Sequence, residues 1–242
     1  MSELVKLKGI YLHHVKYAES SVIAKIYTDQ AGMQSFMIRG MSKSKKNKKS
    51  GLLQPLTLLE LVAYLNPKKD LHHIKEINPA YHFTSLQQND MLKSTLSIFI
   101  NELVYKSIQE QEQNLALFHF LDQSIRALDT TKEYMNFHLV FAIQLAKYLG
   151  IKPELKADKA TFFDLREGTF SMTPPLHPDY IEGSLTADFK NLLRADLSSA
   201  ASLNLNTLQR RQLLEVVIAY YHFHLQGFGE IKSKQILETV LA

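Results

Sequence analysis

The stretch VIAKIYTDQAGMQSFMI, from Val22 to Ile38, decides the fold class of the N-terminal third of the chain. Two runs rich in valine, isoleucine, tyrosine and phenylalanine flank the turn-forming sequence Asp29-Gln-Ala-Gly32, which is the pattern of two strands joined by a short turn. Similar runs lie on both sides of it. Five strands are therefore predicted, over residues 7–15, 22–28, 33–38, 52–65 and 71–77.

Residues 5–78 contain no apolar helical pattern long enough to cover the face of a sheet. Five short strands without such a helix favour closure into a small barrel, such as the five-stranded OB fold. The alternative is an open sheet that packs against the second half of the chain.

From Thr84 onward the apolar residues recur with the helical period of about 3.6 instead of two. The prediction is therefore an α+β protein of two domains, a barrel over residues 1–80 and a helical domain over residues 81–242. Apolar spacing predicts helices near 92–103, 118–128, 134–148, 185–195, 207–223 and 232–241.

Local signals refine the ends of these predicted helices. Thr130 and Glu133 have capping-box spacing at the start of the third, and Gly150 suits its end. Asn206 or Thr207 is expected to cap the helix that follows. Residues 152–184 interrupt the helical pattern, with a hairpin predicted over 161–170 and three prolines after it, so this part is interpreted as an insertion in the helical domain.

Charge is distributed unevenly along the chain. Residues 1–80 carry 13 Lys and Arg against 6 Asp and Glu, a balance of 13 − 6 = +7, whereas residues 81–242 carry 15 against 18, a balance of 15 − 18 = −3. A positive field concentrated on one domain favours a polyanionic partner. Nucleic acid is the leading candidate, because no basic amphipathic helix for a membrane surface is visible there.

The composition excludes several classes of protein and of site. The sequence has no cysteine, which excludes disulfides, thiol nucleophiles and cysteine-ligated zinc within it. No apolar run reaches the roughly 20 residues of a membrane helix, and the N-terminus lacks the pattern of a signal peptide. We therefore expect a cytoplasmic protein without membrane contact; a cysteine-free periplasmic protein with its signal already removed would look similar.

The strongest local signal is the stretch RGMSKSKKNKKSG, residues 39–51, which has six basic residues and no acidic one. Between two barrel strands it would be able to contact several phosphates and release their counterions. The plainer interpretation is a solvated loop. The predicted DNA contacts are Arg39, Lys43, Lys45, Lys46, Lys48 and Lys49; residues 43–49 are called the lysine segment below.

Single-stranded nucleic acid also needs aromatic side chains on which bases can stack. Five aromatic residues lie on or beside the predicted strands: Tyr11, Tyr17, Tyr27, Phe36 and Tyr64. About half of the side chains of a barrel point inward. We expect one or two of the five to be exposed, and the sequence does not say which.

Metal and catalytic sites find little support. The histidine pairs His13-His14 and His72-His73 are adjacent on predicted strands and would point to opposite faces, and no HExxH motif is present. The chain has no P-loop, no dinucleotide-binding glycine motif and no GxSxG elbow. We therefore expect no metal, no cofactor and no enzyme activity, although a triad assembled across the sequence would leave no local trace.

The C-terminal segment from residue 210 joins an apolar helix, a glycine turn and a short basic helix start. Two packed helices are the simple interpretation. Alternatively, an apolar groove flanked by cations would accept an acidic peptide tail. The cations in question are Arg210, Arg211, Lys232 and Lys234.

Taken in order along the chain, these features resemble the RecO family of bacterial recombination mediators. Four stretches carry the resemblance: Gly9-Ile-Tyr-Leu with Tyr17-Ala-Glu-Ser-Ser; Arg39-Gly with the lysine segment; Leu53-Gln-Pro-Leu-Thr-Leu-Leu-Glu60; and Tyr221-His-Phe-His-Leu225 with Ile231-Lys-Ser-Lys-Gln-Ile-Leu237. Many members of that family carry an inserted zinc module with four cysteines. Residues 152–184 occupy its place without any cysteine, so we expect a metal-free remnant held by Phe162, Phe163, Phe170 and prolines.

The resemblance implies a non-enzymatic mediator in DNA repair. It implies binding to single- and double-stranded DNA, annealing of complementary strands, contact with the acidic C-terminal tail of single-strand-binding protein, a RecR partner, and indirect help in loading RecA. A cytoplasmic, nucleoid-associated location would follow. Two other hypotheses stay open at this point, an RNA-binding or RNA-annealing module and a protein-interaction scaffold without nucleic-acid affinity.

Overall fold

The computed structural model describes residues 3–40, 50–66, 68–86, 90–108, 111–155 and 159–240. The lysine segment lies outside the described residues. The chain divides into two compact units, residues 1–89 with 108–129, and residues 90–107 with 130–242. Helix α2, Leu115–Thr130, therefore falls almost wholly in the first unit with the strands. The domain boundary predicted near residue 80 remains a prediction.

The first unit contains a closed five-stranded barrel, as predicted. Its strands are β1 Glu3–Ala18, β2 Ser21–Thr28, β3 Gly32–Arg39, β4 Leu58–Leu65 and β5 Leu71–Pro79, in the order β1-β2-β3-β5-β4. All neighbours are antiparallel except β3 and β5, which are parallel and close the barrel. This order and closure fit the OB fold.

Strand alternation fills the barrel. On β2, Val22, Ala24 and Ile26 point inward, while Ser21, Ile23 and Lys25 alternate with them and are less buried. Each of the other strands contributes one or more residues to the same core.

Two strand boundaries differ from prediction. β1 is longer than expected because its first half pairs with β4 and its second half with β2. The fourth strand was predicted from residue 52, and that start is wrong: a 3₁₀ turn occupies Ser50–Leu53, and β4 begins at Leu58. Between them Leu56 has a positive φ of 61°, and Thr57 donates backbone and side-chain hydrogen bonds to the Gln54 carbonyl. That local turn excludes a strand there.

In the first unit, the buried carboxylate of Asp129 holds the segment that follows β5. It accepts hydrogen bonds from the backbone N–H groups of Thr84, Ser85 and Leu86, and from the hydroxyls of Tyr81 and Thr84. Burial alone would raise the pKa of Asp129, but these hydrogen bonds outweigh it and hold the pKa well below its usual value of 3.8. The carboxylate therefore stays charged and fixes the segment's backbone.

The second unit contains helices and a small sheet. The helices are α1 Met91–Ser107, α3 Phe137–Tyr148, α4 Ser184–Arg194, α5 Thr207–His224 and α6 Ser233–Val240. The predicted capping box of Thr130 and Glu133 is wrong, because α2 runs through Thr130 and α3 starts at Phe137. The predicted Asn206 cap is confirmed, since Asn206 and Gln209 form a reciprocal capping box.

The insertion folds into a three-stranded sheet, β6 Phe162–Asp164, β7 Thr169–Ser171 and β8 Tyr180–Glu182, in the order β7-β6-β8. The predicted hairpin is thus confirmed, and β8 was not predicted. Phe163 lies at its centre, with ring centroids 4.6 Å from Phe170 and 4.8 Å from Phe189. Aromatic packing therefore holds this sheet onto α4. Among the described residues, no three His, Asp or Glu side chains group as metal ligands would.

None of the helices over the described ranges has both the length and the apolar character needed to span a membrane.

Candidate nucleic-acid interface

A hollow of about 420 Å³ in the first unit is lined by residues of β3, β4 and β5, the strand that lies between the other two. Its lining mixes cationic, aromatic and aliphatic side chains, and none of the described residues that line it is a carboxylate. We call it the barrel hollow. It is lined by Met37, Ile38, Arg39, Tyr64, His73, Ile74 and Lys75.

Strand register brings these residues together. His73 pairs with Met37 on β3 and with Tyr64 on β4, so three strands meet at one level. The β4–β5 ladder has an irregularity at which Val62 pairs with Glu76 and Ala63 pairs with Ile74, leaving Lys75 without an opposite residue on β4. This bulge adds a lysine to the lining of the barrel hollow.

Tyr64 is the aromatic residue of the barrel hollow, with 44% of its surface exposed. Arg39, His73 and Lys75 around it are exposed as well. The salt bridge of Lys75 with Glu76 is 3.8 Å long and solvent-exposed, so it holds the lysine only weakly. An exposed ring beside the cations Arg39 and Lys75 can stack on a base while these two side chains contact the flanking phosphates.

The structure separates the five aromatic candidates. Tyr11, Tyr27 and Phe36 are buried in the first unit, whereas Tyr17 is 64% exposed and Tyr64 is 44% exposed. The expectation of one or two exposed rings is confirmed. The two exposed rings precede the β1–β2 and β4–β5 turns, and the loops at these two places bind oligonucleotides in OB folds generally.

Arg39 is the last residue of β3 and lies beside both the β1–β2 turn and the barrel hollow. It pairs with Ser21 of β2, and Ser21 pairs with Ala18 of β1, the residue after Tyr17. Lys43, the first residue of the lysine segment, is four positions after Arg39 in the sequence. The chain therefore enters the lysine segment shortly after it leaves the edge of the barrel hollow.

His72 and His73 point to opposite sides of β5, as their adjacency predicts. His72 is buried, and its Nε2 lies 3.0 Å from the side-chain oxygen Oε1 of Gln34. Burial lowers the pKa of His72. His73 is exposed in the barrel hollow. The sequence analysis did not predict His73 or Lys75 as DNA contacts. Their positions two residues apart on β5 could have indicated that both side chains lie on the same face of the strand.

The four cations predicted to bind an acidic tail are mostly engaged within the second unit. Arg210 donates to the Leu205 carbonyl at 2.6 Å and to the Thr207 hydroxyl, Arg211 donates to the Glu238 carbonyl, and Lys234 forms a salt bridge with Glu215. Lys232 is exposed. A nearby hollow of about 480 Å³ is lined by Arg211, Glu215, Gln235, Glu238 and Thr239, so carboxylates outnumber cations there. Tail binding at this place stays a prediction.

The start of α6 is fixed by Glu102 of α1. Its carboxylate accepts hydrogen bonds from the Lys232 N–H at 3.1 Å and from the Ser233 N–H and hydroxyl at 2.8 and 2.6 Å. Burial acts to raise the pKa of Glu102, but the hydrogen bonds from Ser233, Lys232 and Lys106 outweigh it and lower the pKa. The Ile231-Lys-Ser-Lys sequence thus has a structural role in this unit.

Comparison with known proteins adds a family to this geometry. The family model for the N-terminal part of recombination protein O matches residues 1–83, and the one for its C-terminal part matches residues 88–235. Relatives named DNA repair protein RecO include one from Flavobacterium psychrophilum, 36% identical over 98% of this chain and 99% of its own length. Others come from Bacteroides fragilis, at 36% identity with the same coverage, and Christiangramia forsetii, at 33%.

Proposed function

The chain belongs to the RecO family of DNA repair proteins, and we propose that it binds single-stranded DNA across the outer face of its barrel and anneals complementary strands. Family membership supports the role in DNA repair and recombination. The annealing activity and the mode of binding are our proposals, and they rest on the physical features of the barrel.

The exposed ring of Tyr64 carries the proposal, because it lies in a hollow whose described lining includes Arg39, His73 and Lys75 and no carboxylate. Stacking on such a ring is worth about 1–3 kcal/mol per base. The cations Arg39 and Lys75 beside it neutralise phosphates and release counterions, which makes binding dependent on salt. Together these features favour a single strand whose bases are accessible.

The lysine segment extends this surface in our proposal. Arg39, Lys43, Lys45, Lys46, Lys48 and Lys49 would contact phosphates of a second strand or of a duplex. Annealing needs no bond chemistry, because a basic surface that screens phosphate repulsion lowers the barrier to bringing two strands together. We therefore propose a non-enzymatic mediator that also binds double-stranded DNA.

The protein partners follow from the family and remain proposals. They are RecR, the acidic C-terminal tail of single-strand-binding protein, and, indirectly, the RecA filament that is loaded onto coated DNA. The setting would be the cytoplasm, in association with the nucleoid.

Substitution of Tyr64 tests the proposal. Tyr64→Ala should weaken binding of a fluorescent single-stranded oligonucleotide at least about fivefold, because the stacking platform is removed. Tyr64→Phe keeps the ring and is the matched control, with an expected change within about twofold. Equal affinity of the wild type and Tyr64→Ala for this oligonucleotide would remove the barrel hollow as the DNA site. A matched RNA strand as competitor separates a DNA protein from an RNA protein.

A further inference from the structure

A single line of strand register crosses all five strands of the barrel. Tyr64 of β4 pairs with His73 of β5, and His73 pairs with Met37 of β3. Met37 pairs with Ile23 of β2, and Ile23 pairs with Val15 of β1. Each strand therefore contributes one residue at the same level. We call these five residues, Val15, Ile23, Met37, His73 and Tyr64, the cross-strand row.

The cross-strand row lies on the side of the sheet that faces away from the barrel core, because successive side chains of a strand point to opposite sides. On β2, β3 and β4 the immediate neighbours of the row residues belong to the core or pack against it: Val22, Ala24, Phe36, Ile38, Ala63 and Leu65. Val15 at one end of the row is 52% exposed, and Tyr64 at the other end is exposed as well. Met37 between them is buried, so the row has an apolar centre and two accessible ends.

Basic groups flank the centre of the cross-strand row. On β2 and β3, the positions two residues before and after the row share its face, and they are Ser21, Lys25, Ser35 and Arg39. None of the four is a carboxylate. Lys25 pairs with Ser35 on one side of the row, and Arg39 pairs with Ser21 on the other. A polyanion that lies along the row would therefore meet a cation on either side.

The two ends of the cross-strand row are several strands apart. Strands in a sheet lie about 4.8 Å from one another, so the four steps from Tyr64 to Val15 cover about 19 Å measured across the strands. A second exposed ring, Tyr17, follows Val15 by two residues, at the irregularity in the β1–β2 pairing. Neighbouring bases of a stacked strand are only about 3.4 Å apart. Tyr17 and Tyr64 are thus too far apart to stack on neighbouring bases.

We propose, on the basis of the proposed function, that one single strand of DNA lies along the cross-strand row and crosses all five strands of the barrel. One base stacks on Tyr64, and another base several nucleotides away stacks on Tyr17. The bases between them pack on the apolar centre of the row, while phosphates contact Lys25 and Arg39. The DNA site is therefore longer than the barrel hollow.

Charge and continuity favour a nucleic-acid strand on this face. Tyr64, His73 and Met37 also line the barrel hollow, so the cross-strand row continues from the candidate interface. Cations on both sides of the row suit a chain that carries a negative charge at every nucleotide. An exposed ring at each end suits bases of any sequence, because every base has a π-face.

The test measures the affinity of the full chain for fluorescent oligothymidylates of about three and about twelve nucleotides by anisotropy at low salt. Tyr17→Ala should weaken binding of the longer strand at least about fivefold, because one of two stacking platforms is removed. The shorter strand can still bind at Tyr64 without reaching Tyr17, so its affinity should stay within about twofold. Tyr17→Phe keeps the ring and is the matched control, with an expected change within about twofold at both lengths.

A second variant tests the cross-strand row between the two rings. Val15→Glu places a carboxylate beside the phosphates and should weaken binding of the longer strand at least about fivefold. Leu115→Glu introduces the same charge at a 47% exposed leucine at the start of α2, in the same unit and outside the row. Its affinity should stay within about twofold of wild type.

The replaced side chains are exposed, so all variants should unfold at the wild-type temperature. Wild-type affinity of Tyr17→Ala for the longer strand would overturn the path along the row, and so would equal affinities of Val15→Glu and Leu115→Glu. Equal weakening of both lengths by Tyr17→Ala would overturn it too, because the site would then not be extended. In these cases weaker binding by Tyr64→Ala would leave the proposed function standing, whereas failure of the wild type to bind either strand would remove the function itself.

Discussion

The backbone N–H of Leu86 donates a 2.8 Å hydrogen bond to the carboxylate of Asp129, 43 residues further along the chain. Thr84 and Ser85 donate to the same carboxylate. A side chain near the end of α2 thus satisfies three consecutive backbone donors of the segment that leaves the barrel. This makes Asp129 the residue on which the shape of that segment depends.

Replacing Asp129 by Asn should lower the free energy of unfolding by at least about 2 kcal/mol, because one amide oxygen replaces a charged acceptor and buried N–H groups lose partners. Urea denaturation at pH 7 measures the change. Asp122→Asn is the control on the same helix. Asp122 forms an i,i+4 salt bridge with Arg126 on a partly exposed surface, and its removal should cost no more than about 0.5 kcal/mol.

Lowering the pH should reduce the difference in the free energy of unfolding between the wild type and Asp129→Asn. The pKa of Asp129 is held well below 3.8 in the folded protein, so its carboxylate contributes stability that is fully present above the unfolded pKa. That contribution begins to fall as the pH drops below about 4, and it disappears only below the folded pKa. Unfolding curves should therefore show a smaller gap between the two proteins at pH 3 than at pH 7, and a constant gap would contradict this account.

His138 should make the second unit sensitive to a milder range of pH. Burial, with the nearby charge of Arg210, lowers its pKa from 6.5 to about 3. Between those values the unfolded chain binds a proton that the folded chain does not, so stability falls as the pH drops below about 6.5, with a slope of up to about 1.4 kcal/mol per pH unit. His138→Leu should remove the part of this slope that His138 contributes, while His119→Leu, at an exposed position of α2, should leave the slope unchanged.

The lysine segment should set the salt dependence of DNA binding. Each phosphate that the protein neutralises on a single strand contributes about 0.7 to the slope of log affinity against log salt. A variant with Lys45, Lys46 and Lys48 changed to Ala should therefore bind with a shallower slope, by about 0.7 for each phosphate that is no longer neutralised. Its control carries three exposed lysines of the second unit changed to Ala, Lys132, Lys147 and Lys159. An identical slope in both variants would mean that the segment does not contact DNA.

Tail binding at the C-terminal helices should depend on Lys232 more than on Arg210. Lys232 is exposed, whereas the guanidinium of Arg210 bonds to Leu205 and Thr207. Lys232→Glu should weaken binding of a synthetic acidic tail peptide about threefold or more, and Lys159→Glu should leave it unchanged. Fluorescence anisotropy at low salt measures both. A Lys232→Glu variant with wild-type peptide affinity would move the tail site elsewhere.

The barrel could be predicted from sequence because its signals are local. Alternation such as Val22, Ala24 and Ile26, and the turn at Asp29–Gly32, depend on neighbours along the chain. The start of β4 could not be predicted, because the apolar run before Leu58 has the pattern of a strand. Leu56 nevertheless adopts a positive φ, and no residue type in this stretch indicates that conformation.

The helical boundaries that failed depend on distant contacts. Asn136 precedes α3 without a side-chain cap, and its amide donates instead to the Ala200 and Leu203 carbonyls. No capping rule includes residues that far away. Asn206 was predicted correctly because its partner, Gln209, is three residues on.

Arg39 was predicted as a DNA contact because it begins a run of basic residues, and such a run can be read directly from the sequence. The remainder of the barrel hollow needs the parallel pairing of β3 with β5, which brings His73 beside Met37, and the antiparallel pairing of β4 with β5, which brings His73 beside Tyr64. Periodicity shows that β5 has an exposed face but does not say which strand lies next to it. Which of the five aromatic rings are exposed therefore follows only from the structure.

The same parallel pairing affects the chain while it is being synthesised. Until residues 71–73 leave the ribosome, β3 has no neighbour on one side, and its N–H and C=O groups form an open edge. Closure must then join positions far apart in sequence, which is a slow kind of step. A nascent or truncated chain that ends before β5 would present this edge to other chains, and aggregation would compete with folding at that stage.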